Sequence, residues 1–243
     1  MRIFYRYALT ACIVIAALAN LYFGFQIDYI NSVYSESAVL LLMLLCYMTL
    51  NAERNICLIS ILSLFILSNV IEYVDYLSGN QLNFFAYFMG NLAFLGGILL
   101  IFFNIIKETS FELIYGNYMW LILTIIGIDA FIMYQLIYLS IQYGLDSSHL
   151  FFGSIFVFLK MMLFSVGIIY YLANKNKSRK ASFLVITFGF YFLQDLTEVI
   201  QYLFFMTNRL SGLGLLQSGF ALIALFFLYL FFAMPKGSID QWK

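Results

Sequence analysis

Apolar residues along the chain gather into eight runs, at about 7–25, 37–52, 56–78, 84–106, 117–140, 149–173, 181–206 and 213–234. A helix needs roughly 20 such residues to cross a hydrocarbon core about 30 Å thick, and each run approaches or exceeds that length. The intervening stretches 26–36, 52–55, 79–83, 107–116, 141–148, 174–180 and 207–212 carry the Asn, Gly, Ser and charged residues that water solvates. The pattern predicts an all-α polytopic membrane protein, one transmembrane domain over 1–243 with about eight spans and short loops.

Basic residues give an independent reading of the count, because short outer loops disfavour Lys and Arg. With an inner N-terminus and eight spans, Arg2, Arg6, Arg54, Lys107, Lys175, Lys177, Arg179, Lys180, Lys236 and Lys243 fall inside, and Arg209 falls outside. This asymmetry predicts a multi-pass protein of the bacterial inner-membrane type with both termini cytoplasmic. Residues 1–19, with two Arg, an apolar stretch and small residues near the end, also fit a cleavable signal peptide. An uncleaved first helix is preferred, since the apolar run continues through Phe25 and cleavage would leave an odd number of spans.

Composition narrows the function classes. The chain is 64% hydrophobic and 10% charged, with a single Pro, which no soluble globular composition matches. Zero net charge and scattered basic residues leave no face to neutralise phosphates, so no nucleic-acid partner is expected. Cys12, Cys46 and Cys57 fall in or at the ends of spans and show neither metal spacing nor a disulfide framework. The 28 Phe and 19 Tyr read as lipid-facing and helix-end residues rather than as a cofactor box.

The informative residues are those a bilayer penalises: Glu72 and Asp75 in the third run, Asp129 in the fifth, Lys160 in the sixth, Asp195 and Glu198 in the seventh. A charge at mid-bilayer costs at least ~2.5 kcal/mol on insertion scales, so such side chains face the bundle interior and mark function. At about 1.5 Å per residue, all of them reach the middle or outer half of the membrane. Thr187, Tyr191, Gln194, Asp195, Glu198 and Gln201 follow a 3/4 spacing, which aligns them on one stripe of the seventh helix.

An internal echo accompanies this stripe. Segment 69–77 (NVIEYVDYL) aligns with 195–203 (DLTEVIQYL), and the same offset pairs Asn91 with Gln217 and Phe94 with Phe220. A parallel 4+4 duplication would set the two carboxylate groups about a pseudo-twofold axis; chance similarity between two apolar helices is the alternative.

Carboxyls that share a low-dielectric cavity divide protons unequally, so one can act as a general acid while another stays ionised. Paired i,i+3 acids also resemble di-metal ligation, but the accompanying His is missing and the lone His149 sits at the end of a run, so no metal and no cofactor are expected. A Schiff base on Lys160 is a further option, with eight spans and its place in the sixth against it. The plainer role for Lys160 is to neutralise Asp129 or Glu198.

The layout resembles the YhhN-like membrane proteins, the lysoplasmalogenase family. Residues 35–103 carry the resemblance best. Ser35-Glu-Ser-Ala-Val-Leu-Leu-Leu-Met opens the second run where the family has Lys-Pro-Leu, Leu67-Ser-Asn-Val-Ile is similar to its Gly-Asp-Val-Leu segment, and 85–94 is similar to an apolar segment ending in His-Leu-x-Tyr. Residues 182–204 are similar to its Gly-x-x-x-Phe-x-x-Ser-Asp segment. Where the family has two intramembrane Asp and a His, this chain has Asn69, Asp195 and Asn91, so only Asp195 keeps its acid.

The resemblance implies hydrolysis of the vinyl ether bond of a lysolipid by acid/base catalysis within the membrane. Asp195, Glu72 and Glu198 are then the expected catalytic carboxylates, Glu72 standing one turn from Asn69 in place of the missing acid. Asn69, Asn91, Asp129, Lys160, Gln194 and Tyr191 are the expected substrate-binding residues. Expected partners are membrane lipids, with a single-chain lysolipid or similar amphiphile as substrate. The alternatives are a small-molecule or proton-coupled carrier, and a lipid-binding relative without catalysis.

Overall fold

The computed structural model describes residues 2–50, 55–77, 84–108, 111–142, 158–159, 162–172, 179–204 and 210–233. Among them the chain is helical: α1 (Arg2–Gln26), α2 (Tyr29–Leu50), α3 (Ile56–Leu77), α4 (Phe84–Glu108), α5 (Phe111–Gln142), α6 (Met162–Leu172), α7 (Arg179–Phe204) and α8 (Ser211–Ala233). Five contain segments long and apolar enough to cross a membrane: Tyr7–Gln26, Ile30–Thr49, Ile56–Val74, Phe88–Ile105 and Ser211–Ala233. The protein is an all-α, multi-pass membrane protein. Its outward-facing positions fit that reading, since Val14, Ile15 and Leu18 of α1 and Phe103 of α4 are exposed although apolar.

The first connection differs from the sequence expectation. The polar stretch 26–36 is not a loop: the turn is only Ile27 and Asp28, and α2 begins at Tyr29. Asp28 explains the early start. Its Oδ1 accepts the Asn31 backbone N–H at 3.2 Å, and its carbonyl accepts from Ser32 N, which caps the helix N-terminus. The end of α1 is closed by Ile27 N–H donating to Gly24 O and Asp28 N–H to Phe23 O, the paired bonds of a Schellman turn. Such a turn needs a left-handed residue, and here it is Ile27, at φ 58°. The helix α5 likewise starts at Phe111 and ends at Gln142, beyond both limits of its apolar run.

The helices pack as neighbours in antiparallel pairs, α1 with α2, α3 with α4 and α7 with α8, while α8 also meets α1, α2 and α3. Lipid tails are as apolar as Leu, so helices associate here through close van der Waals fit rather than through exclusion of water. The α1–α8 seam shows the device. Gly24 faces Gly214 and Ser218, and a Cβ on Gly24 would lie 2.9 Å from the Gly214 carbonyl oxygen. In the α3–α4 pair the Phe65 ring fills the space a side chain at Gly97 would occupy and stacks on Phe94, centroids 4.9 Å apart.

Residues at 3/4 spacing make the core: Leu58, Ile61, Leu62 and Phe65 of α3, Ile98, Ile101 and Ile105 of α4, Leu184, Phe188 and Tyr191 of α7, Leu225, Leu228 and Phe231 of α8. At one end of the bundle, Tyr47 of α2 packs edge-on against Tyr229, and its hydroxyl accepts the Asn55 N–H at 2.7 Å just before α3. The Lys180 ammonium lies over the Phe231 ring at the same end. At the opposite end, Tyr34 of α2 meets Tyr73 of α3. Both ends thus register the helices against one another.

Candidate functional site

Six polar residues lie at similar depth: Asn20 of α1, Glu36 of α2, Asn69 of α3, Asn91 of α4, Asp195 of α7 and Ser218 of α8 each stand about two turns from the helix end nearest the Ile27–Asp28 turn, roughly 9–14 Å along the axis. The packing keeps these ends together, as the Gly24–Gly214 and Tyr34–Tyr73 contacts show.

One turn deeper along α7 from Asp195 stands Tyr191. It is buried, and its hydroxyl lies within electrostatic reach of two carboxylates, Glu36 from α2 and Asp195 one turn onward along α7. Asp195 is itself only 5% exposed. Below Tyr191 is an apolar cavity of about 10 Å³ lined by Phe65, Phe94, Ile98, Ile101, Leu163, Phe188 and the Tyr191 ring. A volume of that order is at the lower limit for one water, and it does not accommodate an acyl chain.

The helix geometry orders the polar side chains around this floor. Asn69 follows Phe65 by one turn, Asn91 precedes Phe94 by one turn, and Gln194 and Asp195 follow Tyr191 by one turn. Glu72 is half-buried a further turn beyond Asn69. The amide Nδ2 of Asn69 and the Oε1 of Gln194 are buried and find no hydrogen-bond partner among the described residues. Such atoms are uncommon in native structures.

The expected residues thus divide. Asp195, Tyr191, Gln194, Asn69, Asn91 and Glu72 share one region. The side chains of Asp129, Glu198 and Asp75 lie outside the described residues, as does Lys160. Thr187 shares the stripe, but its hydroxyl donates to Phe183 O at 2.8 Å in its own helix, as Thr197 does to Leu193 O. No group of three or more His, Cys, Asp or Glu converges among the described residues. Among the glycines, Gly97 and Gly214 sit where helices approach closely, whereas Gly212 has open space around it.

Glu36 is the residue that the polar-break reading of 26–36 concealed. A signal for it exists in the sequence. Tracing the buried stripe of α2 back from Tyr47 through Met43 and Val39–Leu40 reaches Ser35 and Glu36 at the same 3/4 spacing. Asn20, 1% exposed, was hidden by the apolar run around it.

No family model, no curated protein and no solved structure matches this chain. The resemblance to the YhhN-like proteins is therefore carried by the quoted segments alone.

Proposed function

We propose that this protein is an intramembrane hydrolase acting on the vinyl ether bond of a single-chain lipid, with both termini cytoplasmic and the polar level in the outer half of the membrane. The observation that carries this reading is a buried carboxylate, Asp195, one turn from the buried Tyr191, with the buried Asn69 Nδ2 and Gln194 Oε1 lacking hydrogen-bond partners among the described residues; Glu36 of α2 lies within electrostatic reach of Tyr191. Vinyl ether hydrolysis needs a general acid to protonate the alkenyl carbon and a base to deliver water to the resulting oxocarbenium carbon. The hemiacetal then collapses to a fatty aldehyde and a glycerophospho-alcohol, with one water consumed. Asp195 serves as one partner, Glu36 or Glu72 as the other, and Asn69 and Gln194 hold polar atoms of the substrate. The lipid tail stays among the Phe-rich outer surfaces, since the apolar cavity is too small for it.

The test is mass spectrometry of detergent-purified protein incubated with a panel of ether- and vinyl-ether-lysolipids. Aldehyde release that is lost in Asp195→Asn supports the reading; full activity in both Asp195→Asn and Glu36→Gln overturns it. Proton-gradient-dependent uptake into liposomes without aldehyde release would instead identify a carrier, which could use the same buried acids as a relay.

A further inference from the structure

Beyond the reaction itself, the structure bears on how water and protons reach a carboxylate buried inside the bundle. The turn between α1 and α2 is polar at its surface, where Asp28 and exposed Asn31 hydrogen-bond side chain to side chain at 2.6 Å. One turn inward, the Ser35 hydroxyl shares its one proton between Asn31 O at 2.7 Å and Ser32 O at 2.8 Å. The Asn20 amide reaches across from α1, its Nδ2 donating to Ser32 O at 2.8 Å and lying 3.3 Å from both the Ser32 and the Ser35 hydroxyls. Its Oδ1 is buried and has no hydrogen-bond partner among the described residues. Glu36 follows Ser35 directly and lies within electrostatic reach of Tyr191, from which Asp195 is one turn onward along α7.

A polar side chain 1% exposed within an apolar helix, with an acceptor left open, is a costly arrangement unless something completes it. Buried waters fill this role elsewhere, each making about three hydrogen bonds to otherwise unsatisfied groups. We infer that ordered water binds at Asn20 Oδ1 and continues a polar path from the Asp28–Asn31 turn through Ser32, Ser35 and Glu36 to Tyr191 and Asp195. The path enters from the face that carries the α1–α2 turn. It would supply protons and water to the buried carboxylates whichever chemistry they perform, and does not depend on the proposed substrate.

Radiolytic hydroxyl-radical labelling of the full-length protein in detergent tests this directly, because radicals generated from bound water oxidise the side chains beside it. Tyr170 on α6, 6% exposed against 8% for Tyr191, is the internal reference. In the wild-type protein Tyr191 is expected to label several-fold faster than Tyr170. In Asn20→Leu, and in the milder Ser35→Ala, its rate is expected to fall toward that of Tyr170. The inference is overturned if Tyr191 labels as slowly as Tyr170 in the wild type, or if neither substitution slows it. Should Asn20→Leu fail to fold, Ser35→Ala decides alone. Because no turnover is measured, this result stands apart from the lipid-hydrolysis assay.

Discussion

Gly24 of α1 and Gly214 of α8 meet backbone to backbone: a Cβ on either would collide with the carbonyl of the other, and Ser218 closes the same seam one turn on. The first and last of the described helices are joined by an approach that only glycine permits, with Leu21 of α1 packed beside Gly219 of α8 farther along the same seam.

Substitution at this seam should therefore act strongly. Gly214→Ala and Gly24→Ala are expected to destabilise the protein by about 1–3 kcal/mol, the usual cost of overpacking. Gly212→Ala, with open space around it, should be neutral or stabilising by up to ~1 kcal/mol through helix propensity. Thermal unfolding of the three variants in one detergent separates these outcomes.

Ile27 holds a left-handed conformation that costs a residue with a Cβ about 1–2 kcal/mol. Ile27→Gly should relieve that strain and raise the melting temperature, whereas Ile27→Val, equally β-branched, should not. An unchanged melting temperature in Ile27→Gly would mean that the side chain's packing offsets the strain.

The Tyr47 hydroxyl is the acceptor for the Asn55 N–H, while Asn55 Oδ1 accepts from Cys57 N to cap α3. Tyr47→Phe keeps the ring against Tyr229 and removes only the oxygen. A loss of about 1–2 kcal/mol is expected, the cost of leaving a partly buried donor unmade. Equilibrium unfolding of Tyr47→Phe beside Tyr229→Leu, which removes the facing ring, tells the hydrogen bond from the ring contact.

At the polar level, Asp195→Asn and Glu36→Gln should each reduce aldehyde release by roughly 10²–10⁴-fold, the range of a lost general acid or base. Glu72→Gln, one turn farther out, should cost less if Glu36 is the partner of Asp195. Rates on a vinyl-ether-lysolipid, with unfolding curves as a check on folding, rank the three.

How much of this was legible beforehand follows from the physics of each feature. Helices α3, α4 and α8 follow their apolar runs closely, because a bilayer forces every spanning segment to be apolar and to satisfy its own backbone. The early start of α2 was not legible, since polar residues at a helix end look the same whether water or a neighbouring helix solvates them. Asn31, Ser32, Ser35 and Glu36 read as loop, and became helix because Asp28 caps it and Asn20 bonds to its serines.

By itself the sequence determined the class, an all-α membrane protein, and singled out Asp195, Tyr191, Gln194, Asn69, Asn91 and Glu72 as polar residues set in apolar runs. Insertion cost alone singles such residues out, and that cost depends only on residue type and depth. Only the tertiary structure decided that Glu36 comes within electrostatic reach of Tyr191 and that Asn20 reaches the α2 serines. It also decided that Gly24 and Gly214 close the bundle. These relationships depend on which helices are neighbours and how closely they approach. Interhelical distance is a property of packing between segments remote in the chain, and no periodicity within one segment encodes it.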